Sequence, residues 1–232
     1  MRDPSYGAGM GAEVHHPSPD AGVSSLRARL RRVAAVPALY RLERFVSAHE
    51  AAAIIALGEQ AERGTLDLPT KHDSTGFSVE LLTDRFEVVA QVHRRIASLI
   101  GVPWHVEPSL RFRHYRTGEG HPPHVDNYRK GDEDLLVTAM VVLRAPDAGG
   151  RTSFPLADGA ATDAVAVAPH DRELVLWLNH RADGSEEPAS SHAGETVDAG
   201  EKITLTSFVY LPAALAAGPV HDVLDAAVGA AP

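Results

Sequence analysis

The sequence predicts a mainly β domain, a sandwich or jelly roll, buttressed by α-helices. Two observations carry this. After Pro103 the chain breaks into short segments rich in Val, Leu, Thr and aromatics, near residues 106–115, 135–143, 161–167, 173–179 and 203–211, with Gly, Pro and Asp between them. No helical period intervenes between these segments, which disfavours a parallel sheet with crossover helices. Before Pro103 the pattern is helical instead. A length of 232 residues with 44% hydrophobic residues suffices for one domain with a sizeable core.

Residues 1–24, rich in Gly, Pro, Ser and Asp, read as a disordered leader. The arginine-rich run Leu26–Arg32 reads as the solvated face of a short helix. A strand is expected over 38–45. Ser47 and Glu50 then form a capping box ahead of an alanine-rich helix. A second helix is expected over 84–100, where Val89, Val92, Ile96 and Leu99 make one apolar stripe and Gly101 and Pro103 end it. His93 lies beside that stripe and reads as a flanking or partly buried histidine. The domain is expected to span 25–211, with helical support over 25–104 and the β core over 105–211. Residues 212–232 form a C-terminal tail or short helix without a chemical signal.

Composition removes several function classes. A net charge of −9 without a long basic block disfavours general nucleic-acid binding. The absence of cysteine excludes disulfide scaffolds, zinc–thiolate sites, iron–sulfur clusters and cysteine nucleophiles. No apolar run reaches the roughly 18–20 residues of a membrane span, and the N-terminus lacks the apolar stretch of a secretory signal. The expected compartment is the cytoplasm, with no membrane and no nucleic acid among the partners. Histidine is plentiful, at 13 residues, so histidine and carboxylate are the available metal ligands.

His124 and Asp126 make a His-x-Asp pair that a strand would present on one face. Roughly one such pair arises by chance in a chain of this composition, so the pair alone is weak. A third ligand from another strand would complete a two-histidine, one-carboxylate set with positions left open on iron(II). His192 is the candidate. Lys202 follows it within the apolar run Gly-Glu-Lys-Ile-Thr-Leu-Thr, where an inward ammonium needs an anionic partner; the distal carboxylate of a 2-oxo acid would serve.

Four elements stand in order: Tyr115-Arg-Thr-Gly118, His124-Val-Asp126, Gly149-Gly150-Arg-Thr152-Ser-Phe154, and His192-Ala-Gly194 through Gly200 to Lys202. In these the sequence resembles the iron(II)- and 2-oxoglutarate-dependent dioxygenases, in their prolyl-4-hydroxylase-like branch, over roughly residues 105–211. The resemblance implies a double-stranded β-helix of the cupin-like jelly-roll kind. It implies iron(II) on His124, Asp126 and His192. It implies 2-oxoglutarate held at its C5 carboxylate by Lys202 and Tyr115, with Thr138 and Thr206 on strands that line the cosubstrate pocket, and ascorbate as a supporting reductant. The implied reaction is hydroxylation of an unactivated C–H bond by O2, with succinate and CO2 as co-products. A carboxylate at Asp126, where halogenating relatives carry a small residue, favours hydroxylation, desaturation or ring closure.

Three positions depart from the branch. His121 stands where a tyrosine is usual three residues before the first ligand. Val141-Val142 stands where the following strand often has a tyrosine. The turn from Val167 to Leu174 lacks its glycine. His121 is read as a substrate or supporting contact, or as a buried histidine with a local partner. The loop from Asn127 to Asp134 reads as a solvated connection or a lid, from which Arg129 and Lys130, together with Arg144, could meet a substrate carboxylate. Trp177 and Phe208 read as core. The expected substrate is a small, amino-acid-like metabolite of the kind found in natural-product biosynthesis. A prolyl hydroxylase acting on a protein or peptide is the alternative, and a non-catalytic jelly-roll binding module a remote one.

Overall fold

The computed structural model of the chain describes residues 19–159 and 165–229. The N-terminal part contributes β1 (Arg31–Ala34), β2 (Leu39–Leu42), β3 (Thr70–Asp73) and β4 (Gly76–Leu82). Next come β5 (Ser109–Arg116), β6 (His121–His124), β7 (Arg129–Lys130), β8 (Glu133–Arg144), β9 (Ala148–Gly149) and β10 (Thr152–Phe154). The last are β11 (Val165–Val167), β12 (Glu173–Leu178), β13 (His192–Gly194), β14 (Val197–Ala199) and β15 (Glu201–Leu211). The helices are α1 (Pro19–Arg27), α2 (Ala48–Glu62), α3 (Glu87–Leu99) and α4 (Ala213–Gly229).

The larger sheet runs β1-β2-β12-β8-β15-β5-β4-β3, with β7 paired to β8; a smaller sheet runs β11-β10-β13-β6, and β14 pairs with β9. All pairings among the described residues are antiparallel. This is the double-stranded β-helix expected. The larger sheet also draws four strands from the part read as helical support. Two of these, β3 and β4, form a hairpin that the sequence reading did not foresee.

Alternation along each strand of the larger sheet separates two faces. On β15, Ile203, Leu205, Val209 and Leu211 are fully buried in the main core under the helices, while Lys202, Thr204, Thr206 and Phe208 line a cavity on the other side. On β5, Leu110 and Phe112 face the core, and Arg111, Arg113 and Tyr115 face the cavity. A second, smaller core closes one end of the space between the sheets with Leu39, Phe154, Val167, Val175 and Trp177.

The helices form for the reasons the sequence offers. Ser47 Oγ accepts from the Glu50 amide at 3.1 Å, and the Glu50 carboxylate accepts from the Ser47 amide at 2.8 Å, closing the capping box of α2. Gly58 on α2 leaves room for the Phe112 ring, which a Cβ there would meet at 2.2 Å. In α3, Val89, Val92, Ile96 and Leu99 are all buried, and Gly101, at φ +85°, follows its end.

Several local expectations are corrected. Residues 1–18 of the expected leader lie outside the described residues, but α1 begins at Pro19, within the remainder. Its Arg27 donates to the carbonyls of Ser98 and Leu99 in the last turn of α3. The run 26–32 is not one helix face: α1 stops at Arg27 and β1 starts at Arg31. His93 is a core residue, its Nε2 accepting from the Glu107 amide at 3.0 Å and its Nδ1 3.0 Å from Ser207 Oγ. Of the two readings of 212–232, tail or short helix, the described part takes the helix, and that helix is packed. α4 buries Ala213, Ala217, Val220, Leu224 and Ala227, and its Asp225 accepts from the Tyr40 hydroxyl at 2.7 Å. No helix among the described residues is long and apolar enough to cross a membrane.

Candidate metal and cosubstrate site

The smaller sheet brings the two candidate histidines together, because β6 and β13 pair with His124 opposite His192. Asp126 lies just beyond the end of β6 rather than on the strand, yet it converges on both rings. Its Oδ1 is 3.6 Å from His124 Nε2 and its Oδ2 3.7 Å from His192 Nε2. One ligand atom from each of the three residues lies within 4.8 Å of the others. The Nδ1 atoms are already engaged: His124 Nδ1 lies 2.9 Å from the Pro122 carbonyl and His192 Nδ1 2.8 Å from that of Ser190. A carbonyl only accepts, so each Nδ1 carries the proton and each Nε2 lone pair is free toward the shared centre. Burial further lowers the proton affinity of His192. Two imidazole nitrogens and one carboxylate oxygen, with an open side toward the cavity, fit iron(II).

The carboxylate is fixed from behind. Thr138 Oγ1 donates to Asp126 Oδ2 at 2.8 Å, and Asn179 Nδ2 donates to Thr138 Oγ1 at 3.0 Å. The amide donation turns the single hydroxyl proton toward Asp126. Thr138, expected as a cosubstrate contact, therefore positions a candidate metal ligand as well as lining the cavity. Asn179 was not foreseen. Its signal was a lone amide at the end of the apolar run Leu174–Leu178.

Lys202 stands opposite Tyr115 in the β15–β5 register. Its side chain is buried, and its ammonium donates to the Gly150 carbonyl at 2.7 Å with no carboxylate within 4.0 Å among the described residues. Burial pulls its pKa down to about 8. A buried ammonium with one carbonyl partner is an orphaned cation, and the carboxylate of a 2-oxo acid fits it. Gly149 and Gly150, at φ +75° and +65°, make the turn that aims this carbonyl; a Cβ on Gly149 would meet the Thr196 carbonyl at 2.5 Å. The Tyr115 phenol is buried too, which pushes its pKa up. Thr206 lines the same cavity.

His121 packs on His124 with ring centroids 4.2 Å apart and also lines the cavity. Burial, then the neighbouring His124 and Arg113, pull its pKa to about 4, so it is neutral near pH 7. Trp177 and Phe208 are not merely core. Both line the cavity, and the Trp177 ring lies 4.6 Å from that of His192. Val141 packs into the helix-side core and Val142 is fully buried. Neither lines the cavity; Met140 does.

Two expected substrate contacts are corrected. Arg129 pairs with Asp134 at 2.9 Å across the β7–β8 hairpin, away from the cavity. Arg144 sits opposite Ile203, on the helix side of the sheet, and pairs with Glu201. Lys130 also points elsewhere, to the buried Glu107 at 3.1 Å and over the Tyr210 ring. The position that lacks the branch's turn glycine is Arg172, which nonetheless adopts φ +62°.

Comparison with known proteins agrees with this geometry. The profile of the 2OG-Fe(II) oxygenase superfamily matches residues 110–210. A curated relative named "Probable prolyl 4-hydroxylase 8", from Arabidopsis thaliana, is 28% identical over 144 residues, covering 54% of this chain. The chain spans about half the length of that relative, 49%. The viral collagen prolyl hydroxylase of Paramecium Bursaria Chlorella virus-1, solved with 2OG, superposes with a TM-score of 0.59 at 18% identity, covering 74% of this chain and 95% of that one. A Trichoplax adhaerens prolyl hydroxylase, solved with a hypoxia inducible factor oxygen degradation domain peptide fragment, gives 0.59 at 13% identity, covering 83% and 92%. With the four motif elements converging on one cavity, residues 110–210 match the 2OG-Fe(II) oxygenase superfamily, and the chain is similar to its prolyl-4-hydroxylase-like branch.

Proposed function

We propose that the chain is an iron(II)- and 2-oxoglutarate-dependent hydroxylase whose substrate presents a prolyl or proline-like group. The observation that carries the reaction class is the orphaned Lys202 ammonium in the same cavity as the His124–Asp126–His192 cluster. The prolyl reading is supported by the names of the curated relatives. A small amino-acid-like metabolite is the second reading, favoured by Arg113 on the cavity wall, which has no carboxylate within 4.0 Å among the described residues.

When bound, iron(II) and 2-oxoglutarate supply the oxidising power, through O2 reduction coupled to decarboxylation of the 2-oxo acid to succinate and CO2. The chain's part is placement. His124 and His192 offer neutral nitrogens, and Asp126 offers one oxygen while Thr138 holds the other. Lys202 and Tyr115 seat the distal carboxylate of the cosubstrate at the far wall. Trp177 and Phe154 pack around His192 and keep water from its rear. The neutral His121 keeps a further positive charge off the metal ligands.

The test is reconstitution with iron(II), 2-oxoglutarate and O2 against proline-rich peptides, free proline and other free amino acids, reading succinate and the gain of one oxygen atom by mass. Oxygen incorporation into a prolyl carbon that is lost in His192→Ala supports the reading. Failure of the folded protein to bind iron(II) would remove it.

A further inference from the structure

The charges on the cavity wall do not balance once the cosubstrate is counted. Arg111, Arg113 and Lys202 are the cationic lysine and arginine side chains lining it, and Asp126 is its carboxylate. Arg111 is matched by Glu80 at 2.6 Å. A divalent metal, Asp126, Lys202 and a doubly negative 2-oxo acid together sum to zero. Arg113 is then left over. Among the described residues it has no carboxylate within 4.0 Å; its guanidinium has long contacts with Thr75, 3.3 Å to Oγ1 and 3.4 Å to the carbonyl, and neighbours the Tyr115 phenol.

Its position suits a substrate contact. Arg113 lies on β5 two residues before Tyr115, on the cavity face, with its guanidinium 6.0 Å from the Tyr115 ring centroid. It also borders an outer depression with Arg111, Lys71 and Ser78, so a group held there has a path to solvent. A half-buried guanidinium with free N–H groups is a two-pronged donor for a carboxylate.

We infer that Arg113 binds a carboxylate carried by the substrate, and so selects acidic substrates. This rests on the hydroxylase reading above. The carboxylate is either the main-chain carboxylate of an amino acid or peptide terminus, or an acidic side chain beside the reacting residue. With the first anion on Lys202 and the second on Arg113, the target C–H is held between two fixed points.

The experiment is calorimetric binding to protein loaded with Mn(II) and 2-oxoglutarate, which does not depend on turnover. Two matched pairs serve as probes. N-acetyl-L-proline against N-acetyl-L-prolinamide tests the main-chain carboxylate. Acetyl-glutamyl-prolinamide against acetyl-glutaminyl-prolinamide tests the side chain. The acid of one pair should bind at least tenfold tighter than its amide. Arg113→Gln should erase that difference, and Arg113→Lys should restore part of it. Both variants should keep their affinities for Mn(II) and 2-oxoglutarate within twofold. Equal binding within both pairs, or no binding by any probe, overturns the inference. A tenfold loss of 2-oxoglutarate affinity in Arg113→Gln overturns it too, because Arg113 would then anchor the cosubstrate. If Mn(II) and 2-oxoglutarate themselves fail to bind the wild-type protein, the hydroxylase reading falls first and takes this inference with it.

Discussion

The two faces of the larger sheet are made by the same strands and obey different rules. On the helix side, β15 contributes Ile203 and Leu205 and β5 contributes Leu110 and Phe112, all fully buried and apolar. On the cavity side the same strands contribute Lys202, Thr204, Arg113 and Tyr115. The first face gains free energy by leaving water. The second holds a buried cation and polar groups whose partners are not all found among the described residues, and that costs stability. Burial alone therefore says little about a residue's task in this sheet. What matters is whether its polar atoms are satisfied.

Substitutions on opposite faces should separate cleanly. Lys202→Met should weaken 2-oxoglutarate binding by about 30- to 3,000-fold, the equivalent of roughly 2–5 kcal/mol for an unpaired carboxylate. The unfolding midpoint should hold or rise, because a desolvated ammonium is removed. Binding titration beside denaturant melts checks both. The same residue gives a pH signature. Its folded pKa of about 8 lies below its ordinary 10.5, so the unfolded chain holds more protons between those values. The burial penalty is fully present below pH 8 and is relieved as pH rises to 10.5, while 2-oxoglutarate affinity falls over the same interval.

Leu205→Ala, one residue class away on the other face, should invert this pattern. A cavity in the main core costs about 2–5 kcal/mol, read as a lower urea midpoint, with 2-oxoglutarate affinity changed less than twofold. A large loss of cosubstrate affinity in this variant would break the comparison. Thr138→Val sharpens it within the cavity face. Losing the hydroxyl that holds Asp126 should weaken metal binding about 10- to 100-fold, and Thr138→Ser should recover most of it, as followed by Co(II) absorption.

The smallest effect lies outside both faces. Arg172 holds φ +62°, a conformation that costs a residue with a side chain about 1–2 kcal/mol. Glycine removes that strain but gives the unfolded chain about 0.5–1 kcal/mol of extra freedom. Arg172→Gly should therefore raise stability by at most about 1.5 kcal/mol, with binding unchanged.

The sequence made parts of this site legible because the chemistry demanded rare residues. A His-x-Asp, a distant histidine and a lysine in an apolar strand are conspicuous in a cysteine-free chain. What was hidden depended on which way a strand faced. Arg144 and Arg113 read alike in sequence, but the register places Arg144 opposite Ile203 on the helix side and Arg113 toward the cavity. Asn179 looked like a strand end until Thr138 came within 3.0 Å of it. The β3–β4 hairpin escaped because Thr70–Asp73 is a polar outer strand without apolar alternation. The helix α1 escaped because it is tied down by Arg27 reaching the far end of α3, a contact no local pattern encodes.

The place of β15 in the sheet also bears on how the molecule comes together. It lies between β8 and β5, both of which precede it in the chain, and it joins residues as far apart as Arg111 and Thr206, 95 positions along the sequence. Until it inserts, β5 and β8 each present an open edge, and neither the cavity nor the Lys202 seat exists. Closing such distant pairings is an entropic toll levied before any contact rewards it, which places folding in the slow, millisecond-to-second class. The interval before insertion is when the chain is most exposed to pairing with its neighbours. A protein whose chemistry depends on one late central strand should accumulate in functional form more slowly than its size alone would set, and should gain most from whatever shields those two edges during synthesis.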